Sequence, residues 1–113
     1  MPPLSHGPRP VYFIALLRVP DIDRYRREYG RKLLPQLAAA GAKLLVAAPS
    51  PTVFEGDWEP TWTAVIQFPD REAALEWYQS EEYAPLKKLR LEELTTGGTV
   101  VLFDGYRPPA AAP

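Results

Sequence analysis

Few side chains in this 113-residue chain can do chemistry, and they are of four kinds: carboxylates, arginines, tyrosines and tryptophans. There is no cysteine, which excludes disulfides, zinc–thiolate sites, iron–sulfur clusters and thiol nucleophiles. The single histidine, His6, lies in a proline-rich end. A Ser–His–Asp triad, a two-histidine metal site or a histidine-held haem therefore cannot be built from the folded part of one chain. No metal site and no cofactor are expected.

Within that set, Glu55 is the candidate acid or base. It precedes Gly56 and stands close to Trp58, so it reads either as a carboxylate at a pocket mouth or as a turn carboxylate that accepts backbone N–H bonds. Tyr83 and Arg90 are seven apart, two helical turns, and share a face. The planar fork of Arg90 suits a substrate carboxylate, but it suits Glu55, Asp57 or another acid of the chain equally, and buried arginine is ordinarily paired. Arg18 ends an otherwise apolar run, either as an anion holder between sheets or as a solvated strand end. Trp58 lies in a loop, as pocket wall or dimer contact, and Trp62 opens an inward strand face, as core or pocket. Trp77 sits on an apolar helix stripe and reads as core. Gly97-Gly98 has no helix after it, so it reads as a turn and not as a phosphate cradle.

The elements that must position these groups follow from periodicity. Val11 to Val19 is a strand with hardly a polar position, expected to be central and buried on both faces. Asp21 caps a helix whose stripe is Ile22, Tyr25, Tyr29, Leu33, Leu37 and Ala40, with Gly41 beyond its end. Pro35 interrupts the stripe and predicts a kink or break near Leu33–Leu34. Lys43 to Ala48 is a second strand, and Thr52 to Glu55 a short continuation before a turn at Gly56-Asp57. Thr61 to Phe68 alternates with a period of two. Asp70 caps a helix over Arg71 to Gln79. Ser80 caps another that carries Tyr83, Leu86, Arg90 and Leu94. Thr99 to Tyr106 is the last strand.

The order β-α-β-β-α-β is that of a ferredoxin-like α+β domain with a four-stranded antiparallel sheet. It occupies residues 11–106, between proline-rich tails at 1–10 and 107–113. Two helices cover one sheet face and nothing covers the other, although the strands are apolar on both sides. A second copy packing sheet against sheet would resolve this, so a homodimer is expected.

Charge narrows the partners. With 13 basic and 14 acidic side chains, the net charge is −1 and no basic stripe stands out, so no nucleic-acid partner is expected. Arg24, Arg26, Arg27, Arg31 and Lys32 interleave with Asp23 and Glu28 as a solvated helix face. No apolar run approaches the roughly 20 residues of a membrane span, and residues 1–10 lack an apolar signal core. The expected compartment is the cytoplasm.

Several of these residues also form a pattern. Glu55-Gly56-Asp57-Trp58-Glu59-Pro60, Val65-Ile66-Gln67-Phe68-Pro69-Asp70, the block from Ala73 to Tyr83 with Trp77-Tyr78, Ser80 and Tyr83, and then Arg90, resemble the domain of unknown function 1330 family. Val19-Pro20-Asp21 with Tyr25 and Tyr29 fits the same pattern, as does Gly105-Tyr106. The resemblance implies pairing as a dimeric α+β barrel, in a superfamily of cofactor-free monooxygenases, isomerases and haem enzymes. The lack of a histidine in the domain argues against haem. Leu16 and Arg18 depart from relatives, which often carry a polar and an acidic residue there. The resulting expectation is a dimeric small-molecule-binding protein, in one form a cofactor-independent oxygenase or isomerase. Glu55 would then be catalytic, and Arg18, Trp58, Trp62, Tyr83 and Arg90 would hold the substrate. The alternative is a non-catalytic dimeric binding or interaction module.

Overall fold

In the computed structural model, which describes residues 9–108, alternation along the first strand decides what is core. Strand β1 (Val11–Arg18) turns Val11, Phe13, Ala15 and Leu17 inward. They stand opposite Phe68, Ile66, Ala64 and Trp62 of β3 (Trp62–Phe68), all buried as well. Directly opposed residues of an antiparallel pair share a face, so these eight side chains form one apolar layer. Fully burying an aliphatic or aromatic side chain contributes about 1.5–3 kcal/mol, which makes this layer the main favourable term of the fold.

Strand β2 (Lys43–Ala48) pairs with β3 through a bulge at Leu44/Val46, and β4 (Gly97–Asp104) pairs with β1. The sheet order is β2-β3-β1-β4, antiparallel throughout. This is the expected ferredoxin-like βαββαβ sheet. Gly98 is required where β4 passes β1. A Cβ there would lie 2.7 Å from the Leu16 carbonyl oxygen and 2.8 Å from Leu17 Cδ2. Gly97-Gly98 is thus part of β4 rather than the loop expected from sequence, and Thr52 to Glu55 forms no strand. The tail expectation for residues 1–8 and 109–113, His6 included, lies outside the described residues.

The first helix, α1, is one continuous run: an α-turn at Ile22–Tyr25, a π-turn at Arg26–Gly30 and an α-helix at Arg31–Ala39. Asp21 caps it, its carboxylate accepting from the Arg24 N–H at 3.0 Å. The break expected near Leu33–Leu34 is absent. Pro35 sits inside the α-helical part, and the hydrogen-bond pattern departs from α one turn upstream instead. Helix α2 (Arg71–Tyr78) is capped by Asp70, which accepts from the Ala73 N–H at 2.8 Å. Ser80 caps the next segment, accepting from the Tyr83 N–H. That segment, α3, is an α-helix at Ala84–Leu89 followed by a second π-turn at Arg90–Leu94. Among the described residues no helix is long and apolar enough to cross a membrane.

The helices lie on one side only. A slab 17 Å thick is one sheet and one helical layer, with no third among the described residues. β1 is central, as expected, but only its inward face is buried. Tyr12, Ile14 and Leu16 are part-exposed on the other side, flanked by Val65 of β3 and by Val101 and Phe103 of β4. Phe103 is 58% exposed. This continuous apolar face is larger than the scattered apolar residues of an ordinary monomer surface.

Candidate functional site

The candidate site forms where α1 and α3 face each other above the inward layer. Both helices place aromatic residues with polar tips on their apolar stripes. Tyr25 and Tyr29 are one turn apart on α1, and their rings stack at 4.9 Å. Tyr83 precedes α3 and is wholly buried, its ring 4.1 Å from that of Trp77. The hydroxyls of Tyr29 and Tyr83 meet at 2.6 Å. Arg90 completes the group, its Nε donating to the Tyr83 hydroxyl at a long 3.4 Å. Trp62 closes the other end, 5.5 Å from Tyr25, with the Arg26 guanidinium over its outer face at 5.2 Å. Trp62, Tyr25, Tyr29, Tyr83 and Arg90 are therefore one contiguous chain of contacts from sheet to helix end.

Arg90 is the anomaly of this group. It is 4% exposed, the one charged residue in the core among the described residues. Its Nη2 atom is buried and has no hydrogen-bond partner. None of the ion pairs among the described residues includes it. The sequence expectation that an acid of the chain would pair with it is not met. Burial works against its charge, while Tyr83 and Tyr29 work for it, and the balance lies above the ordinary arginine value, so the group stays protonated. Burial also pushes the phenols of Tyr25 and Tyr29 well above the ordinary tyrosine range, so they stay neutral at neutral pH. The cluster thus carries one buried positive charge and no internal counter-charge. Stranding an ion in this way costs several kcal/mol in a protein interior.

Arg90 lines an open cleft of about 440 Å³ between the second π-turn and the start of β4. Its other walls are Leu17, Tyr78, Leu91, Thr95–Thr96, Gly97–Gly98 and Val100. Thr95 fixes the end of the π-turn, with both its N–H and its hydroxyl donating to the Arg90 carbonyl. The Thr96 N–H donates to the Arg18 carbonyl and so begins the β4 pairing. The cleft wall is therefore held at Thr95 and Thr96 by hydrogen bonds to the backbone of α3 and of β1.

The sequence-derived candidates fall into three places. Tyr83, Arg90 and Trp62 belong to the cluster just described, Trp62 as buried core. Arg18 and Trp58 line a separate hollow of about 400 Å³ with Leu16, Asp57, Glu59 and Thr99. There Arg18 stands half-exposed at the end of β1 and forms an ion pair with Glu59. Glu55 lines neither space and stands exposed in the loop of residues 49–61, beside Phe54, which is 93% exposed. Leu91, Thr95 and Thr96 are cleft residues that sequence reasoning did not single out, and Tyr78, part of the Trp77-Tyr78 pattern, lines the same cleft. The detectable signal was the pair of tyrosines on the α1 stripe, polar tips on a face otherwise made of leucines. No group of three or more His, Cys, Asp or Glu side chains among the described residues is placed to hold a metal ion.

Comparison with known proteins agrees with this architecture. The chain superimposes on a protein of unknown function from Rhodopseudomonas palustris with a TM-score of 0.69. The identity is 15%, over 93% of this chain and 89% of that chain. The methylated form of that protein gives a TM-score of 0.71 at 16% identity, over 94% of this chain and 88% of that chain. At such identities the likeness concerns the fold. No curated protein matches the chain. The family described as domain of unknown function (DUF1330) matches residues 10–106, and the chain belongs to that family.

Proposed function

We propose that this family member works as a homodimer that binds a small organic molecule in the cleft at Arg90. The observation that carries the reading is a buried arginine that lines an open cleft and keeps one buried nitrogen without a partner. A stranded charge in a core is a liability for stability, and such groups concentrate at binding and catalytic sites. The cleft volume, about 440 Å³, is within the range of small-molecule sites.

The dimer rests on the open sheet face. Tyr12, Ile14, Leu16, Val65, Val101 and Phe103 form an apolar surface that a second copy would cover in a sheet-to-sheet, isologous contact, as in a dimeric α+β barrel. Light scattering on the eluting protein is expected to give twice the 12.7 kDa chain mass. Ile14→Lys is expected to give a monomer or an aggregate. A monomeric wild type at tens of micromolar would count against the pairing.

An enzymatic form of the reading, a cofactor-independent oxygenase or isomerase, would use Glu55 as its acid or base. Glu55 stands outside the cleft of its own chain, and that placement favours binding without catalysis inside one protomer. A fragment screen by protein-observed NMR tests the binding reading directly. Shifts confined to Tyr78, Arg90–Thr96 and Val100 support it, and no saturable shifts in that set overturn it.

A further inference from the structure

We infer that the ligand of the Arg90 cleft is a small organic monocarboxylate with an apolar body; this rests on the binding reading above and specifies its substrate class. Charge counting comes first. Arg90 is the only charged residue among those lining the cleft, and it needs one negative charge to be neutralised. The other cations nearby are engaged. Arg18, beyond Gly97, is paired with Glu59. Lys87 lies over the Tyr78 ring at 4.3 Å and donates to the Tyr78 carbonyl at 3.4 Å. A phosphate dianion would bring two charges to a site that offers one. A carboxylate brings one, and its two oxygens match the planar guanidinium fork.

The rest of the lining describes the ligand's body. Leu17, Leu91 and Val100 are aliphatic walls, and Tyr78 adds an aromatic side chain. Of the hydroxyls there, that of Thr95 is spent on the Arg90 carbonyl. The site therefore offers apolar contact beyond the carboxylate, with the hydroxyls of Tyr78 and Thr96 as its further polar groups. The chain has acids close enough in sequence to have neutralised Arg90 internally. Glu92 and Glu93 follow it in the same π-turn, yet both are exposed, and Glu93 reaches Arg24 instead. Among the described residues the positive charge is left without an anion.

Benzoate and benzamide separate the possibilities, since they share size and ring and differ in charge. Each is titrated into the full-length protein and followed by calorimetry and NMR. Benzoate is expected to bind saturably, and benzamide about tenfold more weakly or less, the loss of one charge-assisted contact. Arg90→Met should abolish that preference. Leu91→Trp, which fills the cleft mouth from an exposed position, should weaken both probes and keeps the test decisive if Arg90→Met does not fold. Equal binding of the two probes, or undiminished benzoate binding by Arg90→Met, overturns the carboxylate assignment while small-molecule binding stands. Inorganic phosphate binding more tightly than benzoate overturns it in the same way. Failure of every probe to bind overturns both.

Discussion

Two arginines on facing helices show opposite solutions to the same problem. Arg24, on α1 at the surface, has two carboxylates: Glu28 accepts from its Nε at 3.0 Å and Glu93 from its Nη2 at 2.7 Å. These partners hold its proton affinity above the ordinary arginine value. Arg90, in the core, has a single long bond to a tyrosine hydroxyl and none to a carboxylate. Coulomb attraction is weakest where the chain has used it and strongest where it has not. Stability alone would arrange the charges the other way round. The contrast separates a surface region whose charges are paired within the chain from a core region whose charge has no carboxylate among the described residues.

The comparison can be broken or sharpened by substitution. The largest effect is expected for Tyr83→Ala, which removes a wholly buried ring and the hydrogen bond that its hydroxyl accepts from Arg90. Urea unfolding should show a loss of about 3–5 kcal/mol or no folded protein at all. Arg90→Met comes next and moves the other way. Replacing a stranded charge by an apolar side chain of similar length should raise stability by about 1–4 kcal/mol. A fall of that size would mean that the guanidinium is structural, and the comparison would collapse.

Alkaline titration probes the same cluster. Tyr25 and Tyr29 hold their protons more tightly folded than unfolded, so their contribution is intact below about pH 10 and declines as the pH rises beyond it. Phenolate absorbance from these two should therefore appear together with the loss of near-ultraviolet circular dichroism, not before it. The smallest effect is expected for Arg24→Ala. Unfolding midpoints should barely move, and high salt should shrink the difference further. A large effect there would show the surface cluster to be more than docking.

Much of the architecture was legible because it depends on one-dimensional periodicity. The alternation of Trp62, Ala64, Ile66 and Phe68 defined a buried face, and Asp21, Asp70 and Ser80 capped the helical segments where expected. The open sheet face followed by subtraction. Local rules failed where the backbone departs from standard repeats. Pro35 predicts a break, but the helix runs through it, and the irregularity is a π-turn at Arg26–Gly30, for which no residue spacing gives a signal. Gly97-Gly98 looks like a turn, yet it is strand, since the close approach of β1 at Gly98 excludes a Cβ. The site was legible only as residue types. That Arg90 meets tyrosines and no acid depends on which way the second π-turn faces Glu92 and Glu93, and no spacing rule specifies that.

The stacking of Trp77 on Tyr83 has a practical consequence. The indole lies 4.1 Å from the ring whose hydroxyl receives the Arg90 N–H, and its own Nε1 is tied to Gln36 at 3.1 Å. It is a rigid chromophore set inside the field of an unbalanced ion, where the dielectric is low and fields reach far. Any event that neutralises or removes that ion changes the energy of the indole's excited state. The protein thus carries its own optical gauge, and the emission colour of one tryptophan can report whether the charge beside it has been answered.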